Sequence, residues 1–456
     1  MKKALTILLA VLMIVSLFAC ASQSSGTSTP ASGAPASSAP ASSAPASGEP
    51  ASDDSKYPKE AGFFDPDFDY TKYDKYKVAF LSMTAGELWD AFDVAYENWA
   101  NKVNIDYTNL WAPTQYSADE FLSGMQTFVD QGFDGLILEA GTQNYERVAE
   151  ILGEAGVEWV SGLGVARASS GSYQLLHPQV GFDNFTIGMQ TLDLLVKWKD
   201  ETFPDVPYDK VGMLLLDYSY SPDIHNRGIG MEQQWAKLHP EFGAFDPAPD
   251  KNPKNFFIGD IASAQYPDQT AAQNLATQFL SNPGDIEVWL IGTPADLYSV
   301  GAANAADNLG MTDKVCTACQ GGVALPTRWD SGIDDAWRFA IFSSQQIYAE
   351  PIVCQLWAYM SGQATPETIF QDWVNVNDKG DVKDENGKVI EEHSYAIMML
   401  PYQPLTKDNY KDYLEWTDLY AFGPGAEGVW KYPPVTDINL FPTRATPPAS
   451  YKVANG

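Results

Sequence analysis

Short apolar runs alternate with amphipathic helical patterns along most of this 456-residue chain. The run at 77–83 (KVAFLSM) predicts a buried strand, and 88–103 (LWDAFDVAYENWANKV) carries apolar residues at helical spacing. Strand and helix patterns follow one another in the same way as far as the strand pattern at 314–319 (KVCTAC). This alternation predicts an α/β fold, in which parallel sheets are covered by helices on both faces.

The alternating units form two consecutive groups of similar size. The first group ends with the strand pattern at 157–164 (VEWVSGLG), and the second begins at 177–183 (HPQVGFD). About 400 residues follow position 56, which is long for a single core. We therefore predict two lobes. Ligands of such folds bind beyond the carboxyl ends of the strands, so the cleft between the lobes is the expected site.

The pattern changes after Gln371. Residues 372–406 predict strands around a hairpin turn at Asn386 and Gly387. The acidic run there does not match a calcium loop, because Val382 occupies a ligand position and no glutamate stands at the twelfth. The tail after 417 is rich in proline, glycine and aromatic residues, and we expect it to wrap over the surface.

The amino terminus has the pattern of an export signal. Three residues that include two lysines precede an apolar run at 4–19, which is shorter than the roughly 20 residues of a membrane span. Residues 17–20 (LFAC) resemble a bacterial lipobox, although Phe18 is larger than the residue usual there. The resemblance implies cleavage after 1–19 and attachment of lipid to Cys20. The alternative is an ordinary signal peptide with an unrelated cysteine.

The segment 20–56 is built almost entirely from small and polar residues, mainly serine, alanine and proline. It cannot bury enough apolar surface to offset the entropy of ordering, so it predicts a disordered linker. As a flexible coil it would span roughly 30–35 Å. The net charge of −31 argues against partners such as nucleic acid and against adsorption to an anionic membrane surface.

Three cysteines follow Cys20. Cys316 and Cys319 have the spacing of a redox motif, but the pattern favours two residues on a buried strand and its turn. No second such pair and no paired histidines support a zinc site. We therefore predict neither a metal nor a cofactor.

Several motifs together resemble type 1 periplasmic binding proteins of the ribose and galactose group. They lie in order across residues 77–416: FDGLILEAGTQNYERV, VGFDNFTIGMQ, NRGIGM, ADLYSVGAANAADNLGM and PLTKDNYKDYL. The resemblance implies two Rossmann-like lobes joined by three hinge crossings, near 178–182, 320–323 and 370. It places the first lobe at 57–180 plus 323–370 and the second at 181–322 plus 371–416, with an extension at 417–456.

The resemblance also implies a function: a monomeric, lipid-anchored substrate-binding protein on the extracellular face of the membrane. Such a protein binds a sugar-like molecule and delivers it to the permease of an ABC importer. Two alternatives remain open from the sequence. One is a binding protein that feeds a chemoreceptor or kinase. The other is a surface-anchored glycoside hydrolase, although the chain has no GxSxG, HExxH or phosphate loop.

Sugars need flat aromatic rings against their apolar faces and planar polar groups for their hydroxyls. In the first lobe, Trp89 and Phe92 occupy the region of the family's stacking aromatics, and either could instead be core. Glu139 ends the third strand and could face the cleft or be an exposed loop acid. Arg167 matches the arginine of the family's Asp-Arg pair, but Ala166 replaces the aspartate.

Six further candidates follow: five in the predicted second lobe, and Gln345 in the part of the predicted first lobe at 323–370. Arg227 matches the family's ligand arginine, and Asp183 could be a ligand contact or a helix cap. The others are Thr293, Asp296, Gln320 and Gln345. Ala295 replaces an expected asparagine, and Gln320 with Gly321 replaces an expected Phe-Asp pair. With two arginines and fewer acids, the site could suit an anionic or larger ligand.

Overall fold

The computed structural model describes residues 56–113, 117–141, 144–168, 175–243, 245, 252–264, 268–371 and 395–414, and four short strands beyond 371. The predicted signal peptide 1–19 and all of the predicted linker 20–56 except Lys56 lie outside the described residues. Within the described residues, no helix is both long and apolar enough to cross a membrane.

Strands and helices alternate as the sequence patterns predict. The strands are β1 Lys77–Ser82, β2 Asp106–Trp111, β3 Gly135–Glu139, β4 Glu158–Ser161, β5 Gln179–Gly181, β6 Val211–Asp217, β7 Phe256–Asp260, β8 Val288–Thr293, β9 Val315–Gln320, β10 Trp337–Phe342, β11 Val382–Lys383, β12 Val389–Glu391, β13 Ile397–Met399, β14 Gln403–Leu405, β15 Val429–Trp430 and β16 Lys452–Val453. The helices are α1 Glu87–Lys102, α2 Ala118–Asp130, α3 Tyr145–Ala155, α4 Asn184–Thr202, α5 Pro222–Leu238, α6 Gln269–Leu280, α7 Asp296–Asn308, α8 Leu325–Asp330 and α9 Gln345–Met360.

The first lobe is built on a parallel sheet with strand order β2-β1-β3-β4. Alternate residues of β1 point to opposite faces of this sheet. Ala79 and Leu81 pack in a core with α2 and α3, whereas Val78 and Phe80 pack in a core with α1 and α9. Both faces are therefore covered by helices, which explains why the strand carries a continuous apolar run.

The second lobe is built on a six-stranded sheet with order β14-β10-β9-β8-β6-β7. Its strands are parallel except for the edge strand β14, which pairs antiparallel with β10. Met213 and Leu215 of β6 pack with α4 and α5 on one face. Leu214 and Leu216 belong to the core that contains alanines of α6 and α7 on the other face.

Two glycines let α4 and α5 pack closely. A Cβ atom at Gly188 would lie 2.0 Å from the carbonyl oxygen of Arg227, and one at Gly230 would lie 2.1 Å from that of Phe185. No side chain fits at these distances, so the backbones of the two helices touch. Both glycines belong to the family-like motifs, and the contact fixes α5 and its Arg227 against the second lobe.

The chain crosses between the lobes three times, but two crossings differ from the prediction. The first crossing was expected at 178–182, where the structure has the short strand β5. The second crossing was expected at 320–323. In the structure the chain leaves the second sheet only after β10, because β10 pairs with β9 in that sheet. Strand β10, at 337–342, was predicted in the first lobe and instead lies in the sheet of the second. Helix α9 packs on β3 and β4 of the first lobe.

The third crossing was expected near 370 and lies at β13, which runs parallel to β5. Phe370 still packs edge-on against Phe63 of the first lobe, with ring centroids 5.9 Å apart. Strands β11 and β12 pair antiparallel as the hairpin pattern predicts, whereas Asn386 and Gly387 lie outside the described residues. Most of 417–456 also lies outside them.

The segment before β1 belongs to the first lobe and carries an aromatic cluster. Tyr70 and Tyr73 meet Trp357 of α9 edge-on, with centroids 5.1 and 5.0 Å apart. The backbone N–H of Phe64 donates to the buried carboxylate of Glu350, 3.2 Å away. These contacts attach the folded start of the chain to α9, a helix with mostly buried residues.

The cysteine pattern is structural. Cys316 and Cys319 are free thiols on β9 and are fully buried. The interpretation of this pair as part of a buried strand is therefore confirmed. Burial raises the pKa of both thiols, which keeps them protonated and unreactive at neutral pH.

Candidate functional site

A buried ion pair connects the carboxyl ends of the two sheets. Arg167 lies in the loop after β4, and Asp223 lies in the first turn of α5, directly after β6. Arg167 donates from Nε and Nη2 to the two carboxylate oxygens of Asp223, at 2.8 and 2.6 Å. The carboxyl edges of the two lobes therefore face each other, and the cleft lies between them.

Arg167 and Asp223 form a bidentate pair, the geometry that gives strong and directional charge-assisted hydrogen bonds. The side chain of Arg167 is 3% exposed and that of Asp223 is 19% exposed. The sequence analysis missed Asp223. An available signal was its position four residues before Arg227, since residues at this spacing share one face of a helix.

Arg227 lies on the same face of α5 as Asp223, at the carboxyl edge of the second sheet. Its Nε donates to Asn184 Oδ1 at 2.8 Å, and its Nη1 donates to the carbonyl oxygen of Pro294. Burial lowers the pKa of the guanidinium to about 10, and the nearby carboxylate of Asp223 opposes that shift. Because a guanidinium has five N–H donors, donors remain for a ligand beyond these two bonds.

Tyr348 of α9 lies at the base of the cleft, beside the first crossing. Its hydroxyl donates to the carbonyl oxygen of Val180 at 3.1 Å, and the carbonyl oxygen of Gly162 lies 3.4 Å away. Phe92 and Phe182 meet its ring edge-on, with centroids 5.3 and 5.5 Å apart. The charges of Arg227 and Asp223 act on the same hydroxyl, so this aromatic base lies close to the charged groups.

The two predicted stacking aromatics differ in exposure. Phe92 is 2% exposed and forms part of the aromatic base beneath the cleft. Trp89 is half-buried, and its indole Nε1 donates to Thr84 Oγ1 at 3.0 Å, in the loop after β1. Of the two, Trp89 has the ring surface that a ligand could cover.

Glu139 is neither an exposed acid nor a free group in the cleft. It is 5% exposed, and its carboxylate accepts hydrogen bonds from the backbone N–H groups of Leu163 and Gly164. Burial raises the pKa of this carboxyl to about 8, although the two backbone bonds oppose the shift. Glu139 therefore holds the loop that leads to Arg167.

Three predicted polar residues of the second lobe also hold backbone. Asp183 caps α4 by accepting from Thr186 N at 3.1 Å. Asp296 accepts from the backbone N–H of Gly322 at 2.5 Å and of Ala324 at 3.2 Å. The buried hydroxyl of Thr293 donates to the carbonyl oxygen of Ala295 at 3.3 Å and lies 2.6 Å from Ser299 Oγ. In this conformation all three position the loops around the cleft.

The loop after β9 explains why an acid of the family pattern is missing. Gly321 and Gly322 have φ angles of +126° and +106°, which disfavour residues with side chains. A Cβ atom at Gly321 would lie 2.1 Å from Asp296 Oδ1. Gln320 just before this turn and Gln345 at the start of α9 are half-buried. Their role at the cleft stays a prediction.

Comparison with known proteins places this architecture in a family. The family described as periplasmic binding protein domain matches residues 78–364, which is more than half of the chain. The chain belongs to this family. No curated protein sequence matches the chain.

Solved structures of periplasmic binding proteins have the same fold at low sequence identity. A solute-binding protein of Actinobacillus succinogenes with bound D-allose has a TM-score of 0.52 and 15% identity, covering 74% of this chain and 100% of that one. LsrB of Clostridium saccharobutylicum in complex with AI-2 has a TM-score of 0.53 and 15% identity, and the match covers 74% of this chain and 99% of that one. The periplasmic binding protein of the arabinose ABC transporter from Shewanella sp. ANA-3 has a TM-score of 0.52 and 14% identity, and the match covers 76% of this chain and 96% of that one. At these identities the likeness establishes the type 1 periplasmic binding protein fold.

Proposed function

We propose that this periplasmic binding protein holds a sugar or sugar-like molecule between its lobes and delivers it to the permease of an ABC importer. The observation that carries the proposal is the charged set at the facing strand ends. Arg167 comes from the first lobe, whereas Asp223 and Arg227 come from the second. A ligand that bonds to groups of both lobes stabilises the closed arrangement, and the lobes move about their three connections as a hinge.

The contacts of Asp223 support a neutral ligand. From the sequence, two arginines with fewer acids could suit an anionic or larger ligand. Asp223 supplies an acid and neutralises Arg167, so Arg227 is the cation without a carboxylate bond in the described part of the cleft. The guanidinium groups of Arg167 and Arg227 donate hydrogen bonds and the carboxylate of Asp223 accepts them, and such a mixture suits the hydroxyls of a neutral sugar. The solved structures with bound D-allose and L-arabinofuranose support this ligand class by fold alone.

Thermal unfolding of the purified chain tests the proposal across ligand classes. A ligand that binds only the folded state adds RT ln(1 + [L]/Kd) to its stability. We expect neutral pentoses, hexoses or polyols to raise the unfolding temperature more than nucleosides and organic anions do. A shift with organic anions alone would contradict the neutral-sugar assignment, and no shift with any small molecule would contradict ligand binding altogether.

We further propose that Cys20 is the lipid attachment point and that 20–56 tethers the folded lobes outside the cell. The lipobox-like residues 17–20 and the linker composition support this location. Replacing Cys20→Ser should move the protein from the membrane fraction to the soluble fraction and abolish incorporation of radiolabelled palmitate. Retention of the variant in the membrane with unchanged labelling would contradict lipid attachment at this residue.

Two alternatives for the role remain separable by experiment. A sensory binding protein would have the same cleft, but a membrane pull-down would retrieve a receptor or kinase instead of a permease. A glycoside hydrolase would release product from a glycoside panel, whereas a binding protein gives one-to-one binding without product. The family match supports a solute-binding, non-enzymatic role.

A further inference from the structure

Three tyrosines form a surface beside the charged groups of the cleft, which we name the tyrosine platform: Tyr218, Tyr220 and Tyr298. Tyr218 and Tyr220 lie in the loop between β6 and α5, and Tyr298 lies in the first turn of α7, just after β8. Since β6 and β8 are parallel neighbours, their carboxyl ends place these residues at one edge of the sheet. That edge is the one that carries Asp223.

The rings of the platform are arranged in order from buried to exposed. Tyr298 is 8% exposed and stacks on Tyr218, with centroids 6.3 Å apart and planes inclined by 21°. Tyr218 is half-buried and meets Tyr220 edge-on, with centroids 6.3 Å apart. Tyr220 is 51% exposed. One aromatic ring is thus open to solvent and is supported from below by two others.

The loop that carries the platform is held in place at the end of β7. Asp260 accepts a hydrogen bond from the hydroxyl of Ser219 at 2.6 Å and one from its backbone N–H at 3.3 Å. The same carboxylate accepts from Ala262 N at 3.0 Å. The exposed ring therefore stands on a positioned loop, which reduces the entropy that a ligand would lose in ordering it.

The chemistry of the neighbouring groups identifies the occupant. Tyr220 lies three residues before Asp223 in the loop that leads into α5, so its aromatic ring and the carboxylate that can bind hydroxyls come from the same edge of the sheet. A protein partner would require a larger continuous apolar area. Of the other exposed large apolar residues of the described chain, Leu297 lies beside Tyr298 at the start of α7. The remaining four lie on α1, on α5 beyond its first turns, after α7 and after α8: Val94, Leu238, Leu309 and Ile333.

We infer that the tyrosine platform is a second sugar subsite, which binds the next ring of an oligosaccharide whose first ring lies at Asp223 and Arg227. The exposed face of Tyr220 covers the apolar face of that second ring, as aromatic rings do in carbohydrate recognition. The inference rests on the proposed function and adds the ligand's length: the cleft accepts at least two linked rings.

Calorimetric titration of the full chain with matched sugars tests this subsite. The probes are xylose with xylobiose, glucose with cellobiose and maltose, and arabinose with arabinobiose. For at least one pair we expect the disaccharide to bind about tenfold or more tightly than its monosaccharide. Tyr220→Ala should remove that difference and leave the monosaccharide Kd within about twofold. Tyr220→Phe keeps the ring and should keep the difference, and Val94→Ala on α1 is a control for loss of an exposed apolar side chain.

The outcomes separate this subsite from the function on which it rests. A monosaccharide that binds as tightly as its disaccharides, in every pair, overturns the second subsite and leaves sugar binding intact. An equal loss of affinity for both sugars in Tyr220→Ala also overturns it, because the ring would then act on the first subsite. Absence of binding by any saccharide overturns the proposed function and the subsite with it.

Discussion

At the scale of single residues, the acidic side chains near the cleft fall into two groups. Asp223 reaches across to the other lobe, whereas Asp183, Glu139 and Asp296 accept hydrogen bonds from backbone of their own lobe. The sequence predicts that these residue types occur after strands, because loop positions follow from the alternation. It does not predict which acid has a backbone partner, since that depends on the conformation of a loop distant in sequence.

Asp296 should stabilise the fold in addition to any role at the cleft. Its replacement, Asp296→Ala, leaves the backbone N–H groups of Gly322 and Ala324 without their acceptor. We expect a loss of about 2–3 kcal/mol in the free energy of unfolding, measured by urea titration. Asp313→Asn changes an exposed acid in the turn before β9 and should be within about 0.5 kcal/mol of the original chain. Equal stability of the two variants would contradict the backbone role of Asp296.

Glu139 should make stability depend on pH. Its pKa of about 8 in the folded state exceeds the ordinary value of 4.5, so the folded state binds the proton more tightly than the unfolded state does. Stability from this group is therefore full below about pH 4.5 and is lost as pH rises towards 8. We expect Glu139→Gln to reduce the fall in unfolding temperature between pH 5 and pH 8.

The comparison between the two chains at each pH isolates Glu139 from other titrating groups. Glu232 also has a raised pKa, of about 7, because of its burial and the nearby Asp217, but it is present in both chains. An identical pH profile for Glu139→Gln would show that Glu139 ionises normally in the folded protein.

At the scale of elements, the sequence predicts the strands and helices of both lobes well, because each strand is an apolar run and each helix has a distinct periodicity. It fails at the lobe assignment of β10. A strand is recognised from its own residues, but its sheet is decided by a partner, and β10 pairs with β9. The short strand β13 has the same difficulty, since its three residues carry little pattern.

The contact between α4 and α5 should be intolerant of any side chain at Gly230. Gly230→Ala places a Cβ atom against the carbonyl of Phe185, and we expect a loss of about 1–3 kcal/mol, measured by urea unfolding. Gly153→Ala is the matched control within α3, where no atom lies within 4 Å of the added Cβ. That change should be neutral or stabilising by up to about 1 kcal/mol. Similar effects of the two substitutions would contradict the close packing of α4 on α5.

At the scale of the whole molecule, the strand ends of the two lobes face each other across a cleft that contains charged side chains. The family match covers residues 78–364. Within that span, polar residues of the family pattern are replaced at Ala166, Ala295 and Gly321. The two-lobed α/β fold could be predicted because it depends on strand and helix patterns that repeat along the chain. The ligand could not, because it depends on a few side chains such as Asp223, whose importance appears only when the two lobes are seen together.

The most direct test of this account is the Kd of a neutral sugar, measured by calorimetry for the original chain and for Arg227→Ala. Arg147→Ala removes an exposed arginine on α3 and is the control. We predict one-to-one binding that Arg227→Ala weakens by at least about tenfold and Arg147→Ala leaves unchanged, because a hydrogen bond from a charged donor contributes about 1.5–3 kcal/mol. An unchanged Kd for Arg227→Ala, or no binding of any neutral sugar, would contradict a sugar site between the lobes.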